Sequence, residues 1–345
     1  MTPTIRVFVP TFRRPHLLRR ALRSLLAQTY PSWVAEVRND DPTDHSPEEV
    51  ARECNDPRIR YIQHRTNLGG VALFNAVFSS DTEPYVSLLE DDNWWQPAFL
   101  QRMLSALEAH PEVTLAWSNQ QVWEETAAGD WRDTGRLVRP AAVDLAPVLI
   151  PWPQSTQCLG ALHANGAMLL RTRRGVGYAI PRMEFGGTEA VRERMLPHPL
   201  LYVPEPLAVF SVTRATHRSR EPAAWATLQV LLAATFFKHA PTTPAFWHEL
   251  WQRARHQSPR MTGPLILAAL QDPALRSQLK HSTAGDWRHL AIRSLRRPTV
   301  FLKLWRARQR EPELWNFLAE HTARRTAENS GRIADGGTRL GLEKS

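Results

Sequence analysis

Three consecutive carboxylates, Glu90-Asp91-Asp92, follow directly on the apolar run Tyr85–Leu89. Adjacent acids repel one another, and a divalent cation relieves that repulsion. Hard oxygen ligands with an open coordination sphere suit Mg2+ or Mn2+ carrying a substrate phosphate. A solvated acidic turn would use the same residues. A second polar run, Asn39-Asp40-Asp41-Pro42-Thr43-Asp44, follows Trp33–Arg38. A carboxylate there can accept from a base N–H or a ribose hydroxyl. Asp, Thr and Pro also favour a plain turn closed by side-chain-to-backbone hydrogen bonds.

Basic residues cluster twice. Arg13, Arg14, Arg19, Arg20 and Arg23 form one group, and Arg288, Arg293, Arg296, Arg297, Lys303, Arg306, Arg308 and Arg310 the other. Such runs are ordinarily solvated faces, and the functional alternative is a patch for an anionic membrane surface. Neither a P-loop nor a nucleotide-binding G-x-G-x-x-G is present. Tryptophan is abundant, and Trp94 and Trp95 follow the acidic triplet directly. Trp225, Trp247, Trp251, Trp287, Trp305 and Trp315 fall in predicted helices and are expected in the core.

These residues need elements to position them. Ile5–Pro10, Trp33–Arg38, Arg58–Gln63, Tyr85–Leu89 and Val113–Ser118 read as buried strands. Between them, Arg14–Gln28, Pro47–Asn55, Gly70–Ser79 and Pro97–His110 read as helices; Leu17, Leu18, Ala21, Leu22, Leu25 and Leu26 keep helical spacing. Such alternation predicts an α/β fold with a mostly parallel sheet, which binds ligands at the carboxyl ends of its strands. Pro10-Thr11-Phe12, Asn39-Asp40 and Glu90-Asp91-Asp92 all sit at such ends. Residues 120–160 read as irregular or as an inserted hairpin, Ala161–Arg171 as a strand and Leu200–Val212 as broken extended chain. From Glu221 the chain turns helical. Expected boundaries are 1–220, a helical region 221–327, and a disordered tail 328–345.

The chain has 345 residues, 43% hydrophobic and 22% charged, which excludes general disorder. A net charge of +9 favours polyanionic partners. Two cysteines are too few for a disulfide framework or a cysteine-ligated zinc site. The first residues lack a long apolar core, and Leu228–Phe237 is too short to span a bilayer, so a cytoplasmic protein is expected.

VFVPTFRRP at 7–15, VRNDDPTD at 37–44, NLGGVALFNA at 67–76 and LLEDDNWWQP at 88–97 together resemble the inverting glycosyltransferases of family 2, with the GT-A fold. The resemblance covers roughly residues 5–217 and is strongest over the first 110. It implies that Pro10, Thr11 and Phe12 line a uridine pocket, with Asp40 on the uracil and Asn39 and Asn67 beside it. It makes Asp92 the metal ligand, helped by Glu90, which stands where the family's D-x-D motif has its first Asp; Asp91 would sit at the nucleotide. Gly187-Thr188-Glu189 stands for a Gly-Glu-Asp motif, making Glu189 the general base, with Glu184 as the rival. Arg214 and His217 resemble an Arg-x-His element, His217 toward the metal and Arg214 toward phosphate. Trp94 and Trp95 would meet sugar or acceptor, and Trp117, Trp123, Trp131 and Trp152 fall in the acceptor region.

The expected function is transfer of a sugar from a nucleotide-diphosphate donor, UDP-linked by expectation, to an acceptor hydroxyl, with Mn2+ or Mg2+ as cofactor. Partners would be the donor and a saccharide or lipid-linked acceptor, with peripheral contact at the inner face of the membrane and no nucleic acid. A sugar-nucleotide-binding protein without catalysis and a nucleotidyltransferase remain as alternatives.

Overall fold

The computed structural model describes residues 2–183, 186–214, 222–239, 243–257 and 260–340. The chain divides into two compact units. The first holds residues 1–150, 163–180 and 196–217, and the second holds 151–162, 181–195 and 218–345. The segments 151–162 and 181–195 therefore leave the N-terminal region in which the sequence pattern puts them.

The first unit opens with β1 (Ile5–Thr11), α1 (Pro15–Leu26), β2 (Trp33–Asn39), α2 (Ser46–Glu53), β3 (Ile59–Gln63), α3 (Gly70–Phe78) and β4 (Tyr85–Leu88). A two-residue β5 (Trp94–Trp95), α4 (Phe99–Glu108), β6 (Leu115–Glu125), β7 (Trp131–Leu137), β8 (Val148–Ile150), β9 (Met168–Arg171) and β10 (Leu200–Val212) follow. Each predicted strand of the first half is present. Alternating exposure would mark a half-solvated strand; β4 is buried at every position, as a covered sheet requires. Helix α1 begins with Pro15, whose fixed φ suits a first turn. It buries Leu17, Leu18, Ala21, Leu22 and Leu25. Burying each leucine stabilises by at most about 1.5–3 kcal/mol.

The sheet runs β3-β2-β1-β4-β9-β6-β10-β5, with β7 on β6 and β8 on β10. It is more mixed than a mostly parallel sheet: β9 lies antiparallel between β4 and β6. The register Thr11↔Asn39 and Phe8↔Leu88 aligns the ends of β1, β2 and β4. The hairpin β6–β7 fills part of the region that reads as irregular or hairpin. Pro204 and Pro206 of β10 sit where its ladder to β6 shifts register, the place a strand tolerates residues without an N–H.

The second unit contains α5 (Thr188–Arg192), α6 (Pro222–His239), α7 (Pro244–His256), α8 (Thr262–Gln271), α9 (Ala284–Arg296), α10 (Pro298–Trp305), α11 (Ala307–Arg310) and α12 (Pro312–Leu340). Its core joins Trp152 and Cys158 to Phe236, Trp247, Trp251, Leu265 and Ile266. Three corrections arise here. The helix expected over 299–310 breaks at Arg306, α12 continues to Leu340 where a disordered tail is expected from 328, and Trp225, Trp287 and Trp305 are about 40% exposed rather than core.

Candidate functional site

At the carboxyl ends of β1, β2 and β4 the first unit has a cleft of about 330 Å³. Pro10, Thr11, Phe12, Asp40, Asn67, Glu90, Asp91 and Asp92 line it, with Arg14 and, from the start of α3, Gly69, Gly70, Leu73 and Phe74.

Asp40 is 3% exposed and fixes the loop before α3. Its carboxylate accepts from Leu68 N–H at 2.7 Å and Gly69 N–H at 2.9 Å, and Asn67 donates to its carbonyl at 3.1 Å. Gly69 caps α3 at φ 81°, ψ 155°, backbone geometry essentially closed to other residues. The result turns the positive end of α3 toward the cleft, an arrangement suited to an anion.

The acidic triplet is distributed rather than clustered. Asp91 is 1% exposed, and its oxygens are taken by Thr11 Oγ1 at 2.8 Å and by the Arg14 guanidinium. Burial pushes its carboxyl up to about 7, while Arg14 and the Thr11 hydroxyl pull it down. Arg14 also donates to Asp92 Oδ2 at 2.9 Å. Asp92 is the more open acid of the two, with 21% of its side chain exposed. Glu90 Oε2 accepts from Asn93 at 2.7 Å. It also lies so close to Gly166 that a Cβ there would fall 2.6 Å from Oε2 and 2.9 Å from the Asn93 amide, so a larger residue at 166 would make the Glu90 and Asn93 side chains shift.

Arg20 crosses behind this loop. Its guanidinium lies 3.9 Å from the Trp94 ring centre and 3.7 Å from that of Trp131, and it donates to the Asp92 carbonyl at 2.6 Å. Trp94 meets Trp123 edge-on at 5.4 Å. Burial lowers the Arg20 guanidinium to about 10, against the pull of Asp92 and Glu125. The side chain thus ties the acidic loop to the β6–β7 hairpin.

Several residues that the sequence assigns to the site lie elsewhere in the unit. Asn39 is fully buried; it donates to the Asp44 carbonyl at 2.6 Å and accepts from Asp41 N–H, so it braces the turn and does not line the cleft. Trp95 is 2% exposed, stacks on Phe99 and donates to the Gly166 carbonyl at 2.8 Å, which makes it core rather than an acceptor contact. Trp117 is buried against Tyr202. Arg214 donates to the Ala127 carbonyl at 3.1 Å and does not line the cleft. Glu184 and His217 lie outside the described residues. Trp152 belongs to the core of the second unit.

Glu189 also belongs to the second unit, half-buried in the first turn of α5, where the Thr188 hydroxyl reaches it at 3.3 Å. Gly187 before it has φ 91°, and a Cβ there would run into Trp225 and come 2.7 Å from Leu228 of α6. The glycine of this motif is thus demanded by packing. Arg192 and Arg194 nearby are fully buried, and burial lowers both to about 10. Arg194 rests over the rings of Trp152 and Phe236 and donates to the Gln157 carbonyl at 2.7 Å.

Among the described residues, no group of three or more His, Cys, Asp or Glu is placed to share a metal ion. Asp91 is committed to Thr11 and Arg14, and Glu90 is engaged by Asn93 through Oε2. Of the triplet, Asp92 is the acid that offers oxygen to the cleft with room beside it. That donor suits a hard divalent ion whose other ligands come from a diphosphate and water.

The sequence counts Arg14 in a basic cluster but does not mark it as a cleft residue. Gly69, Leu73 and Phe74 also escape it, although the motif NLGGVALFNA carries the signal for all three.

Comparison with known proteins bears on this unit. Residues 6–133 match the model for Glycosyl transferase family 2. The chain is 32% identical over 111 residues to the putative colanic acid biosynthesis glycosyl transferase WcaA of Escherichia coli K12, covering 32% of this chain and 38% of that protein. It is 23% identical over 139 residues to the Escherichia coli enzyme WfgD, a UDP-Glc:alpha-D-GlcNAc-diphosphoundecaprenol beta-1,3-glucosyltransferase by name, covering 40% of this chain and 52% of that one. The chain thus spans from under two fifths to about half of these relatives. Among solved structures, residues 1–349 of S. aureus TarS in complex with UDP-GlcNAc are similar in fold, with TM-score 0.57 and 15% identity over 92% of this chain and 90% of that one.

Proposed function

We propose a function from one premise: residues 6–133 belong to glycosyltransferase family 2, on a GT-A fold. The protein transfers a sugar from a nucleoside-diphosphate donor, UDP-linked, to an acceptor hydroxyl. The observation that carries this reading is the meeting of Thr11, Asp40, Asn67, the start of α3 and Asp92 around one cleft. Asp40 and Asn67 stand where a uracil and ribose would be held. The start of α3 and Arg14 present positive charge to a diphosphate.

A divalent ion held by Asp92 would neutralise charge growing on the departing diphosphate. Arg14 keeps Asp91 and Asp92 fixed and adds a permanent cation beside them, preorganised for that charge. Attack is in line at the anomeric carbon and inverts it. A carboxylate base takes the acceptor proton, an effect of about 10²–10⁴-fold, and Glu189 is the candidate for that role by the Gly187-Thr188-Glu189 motif in which it stands. WfgD acts on a lipid-carried saccharide by name, and an acceptor of that class suits this chain.

Calorimetric titration with UDP, GDP, CDP and dTDP, with and without Mn2+, tests the donor site. UDP is expected to bind, more tightly with Mn2+, and Asp92→Ala is expected to lose the metal-dependent part. Folded protein that binds none of the four overturns the reading.

A further inference from the structure

Between Trp287 and Arg310 the chain carries eight Arg and Lys residues and no Asp or Glu. The structure places this stretch on α9, α10 and α11 of the second unit. The inner sides of α9 and α10 are already used. Asp286 is fully buried and paired with Arg255 and Arg260. Leu290, Phe301 and Leu304 close a cavity of about 140 Å³ with Met261 and Leu267 of α8 and its approach.

The outer sides should then be polar, as on an ordinary surface helix. They are not. Leu295 is 83% exposed, Leu302 47%, Trp305 41%, and Trp287 and Ile292 39% each. On α9, Ala284, Ala291, Ile292 and Leu295 share one face at helical spacing, with Arg288 among them and Arg296 at its flank. Arg288, Arg293, Arg296 and Arg297 have no ion-pair partner among the described residues.

We propose that the outward faces of α9 and α10 bind a bilayer containing anionic lipid. Leucine, isoleucine and tryptophan on one face with arginine around them is the composition of a helix lying in a membrane interface. Arg288 and Arg296 meet lipid phosphates, and Ile292, Leu295 and Leu302 enter the acyl boundary, whereas Arg293, Arg297 and Trp305 help to line cavities of the unit. No described helix is long and apolar enough to cross a membrane, so the contact is with the surface. A second copy of the chain is a poor occupant, because it would set Arg288 and Arg296 of one copy against those of the other. The inference stands on the second unit and does not depend on the donor-site reading.

The test is co-sedimentation of the full chain with vesicles of phosphatidylcholine, alone or with about 30% phosphatidylglycerol. Binding is expected to the anionic vesicles only, and to weaken as salt rises. Leu295→Glu with Leu302→Glu is expected to lower partitioning by about tenfold or more, and Arg288→Gln with Arg296→Gln by several-fold. Val143→Glu, at an exposed apolar position of the first unit, is expected to change nothing. Circular dichroism and nucleotide titration of each variant check that it is folded. Three results would overturn the proposal: no binding, equal binding to neutral vesicles, or a concentration-dependent dimer that the Leu295→Glu pair abolishes.

Discussion

Around α1 of the first unit, Arg13 reaches Asp41, Arg14 spans Asp91 and Asp92, Arg19 meets Glu53, and Arg20 lies between two indoles with the Asp92 carbonyl at its tip. On α9 of the second unit and at its C-terminal cap, Arg288, Arg293, Arg296 and Arg297 meet no acid among the described residues and are flanked by exposed leucine and tryptophan. The two groups look alike as strings of arginine. The difference lies in acids that arrive from elsewhere in the chain: Asp91 is 77 positions from Arg14. Net charge counts both groups equally. In the first unit arginine organises a site; in the second no described acid neutralises these four, and Arg288 and Arg296 stand clear of the cavity that Arg293 and Arg297 help to line.

The sharpest way to break this contrast is to remove one arginine from each group. Arg14→Gln leaves Asp91 buried with the Thr11 hydroxyl and the Phe12 backbone N–H but no cation paired to it. Removing one partner of a buried pair costs about 3–5 kcal/mol, and denaturant unfolding should register a loss of that order. Arg296→Gln should move the same curve by no more than about 0.5 kcal/mol. Equal effects would erase the distinction between the groups.

Next in size is Gly187→Ala. It forces an alanine to φ 91° and drives its methyl toward Trp225 and Leu228. Strain and overpacking together should cost about 2–4 kcal/mol. A variant of unchanged stability would mean that position 187 is glycine for reasons other than packing.

Arg20→Ala is expected to cost about 1–2 kcal/mol, since it empties the space between Trp94 and Trp131. It should also weaken UDP binding, because the Asp92 carbonyl loses one of its two donors and is left with the Ser211 hydroxyl. Stability loss with unchanged binding would confine Arg20 to packing.

The last test concerns pH. Burial works against ionised Asp286, but hydrogen bonds from Thr283, Arg260 and Arg255 outweigh it and hold the carboxyl down to about 2. Its folded pKa lies below the unfolded value of about 3.9. Its contribution is therefore present above about pH 4 and is lost as pH falls toward 2. Asp286→Asn should be less stable at neutral pH and should flatten that acid limb. An unchanged limb would remove Asp286 from the account.

Much of this is legible in the sequence, for physical reasons. Buried parallel strands are short apolar runs, and α1 repeats its leucines at helical spacing, so local pattern suffices. Asp40 and Asp92 are legible because a ligand site at strand ends follows from topology, and Asn67 because it opens the motif NLGGVALFNA. Long-range pairing leaves no local mark. Nothing around Arg14 announces Asp91, and nothing around Gly166 announces Glu90. Asn39 resembles a ligand residue because the turn chemistry that buries it uses the same side chain. The exposed tryptophans of α9 and α10 read as core because helical spacing gives a face but not its direction.

The central claim is that the cleft of the first unit serves sugar transfer. The most direct measurement is UDP release from a panel of UDP-sugars, with and without saccharide and lipid-linked saccharide acceptors. The wild-type protein should release UDP faster with one acceptor class, and Glu189→Gln should slow that release by about 10²-fold or more while UDP still binds. UDP binding with no release from any donor, with or without acceptor, would contradict the claim and leave a sugar-nucleotide-binding protein.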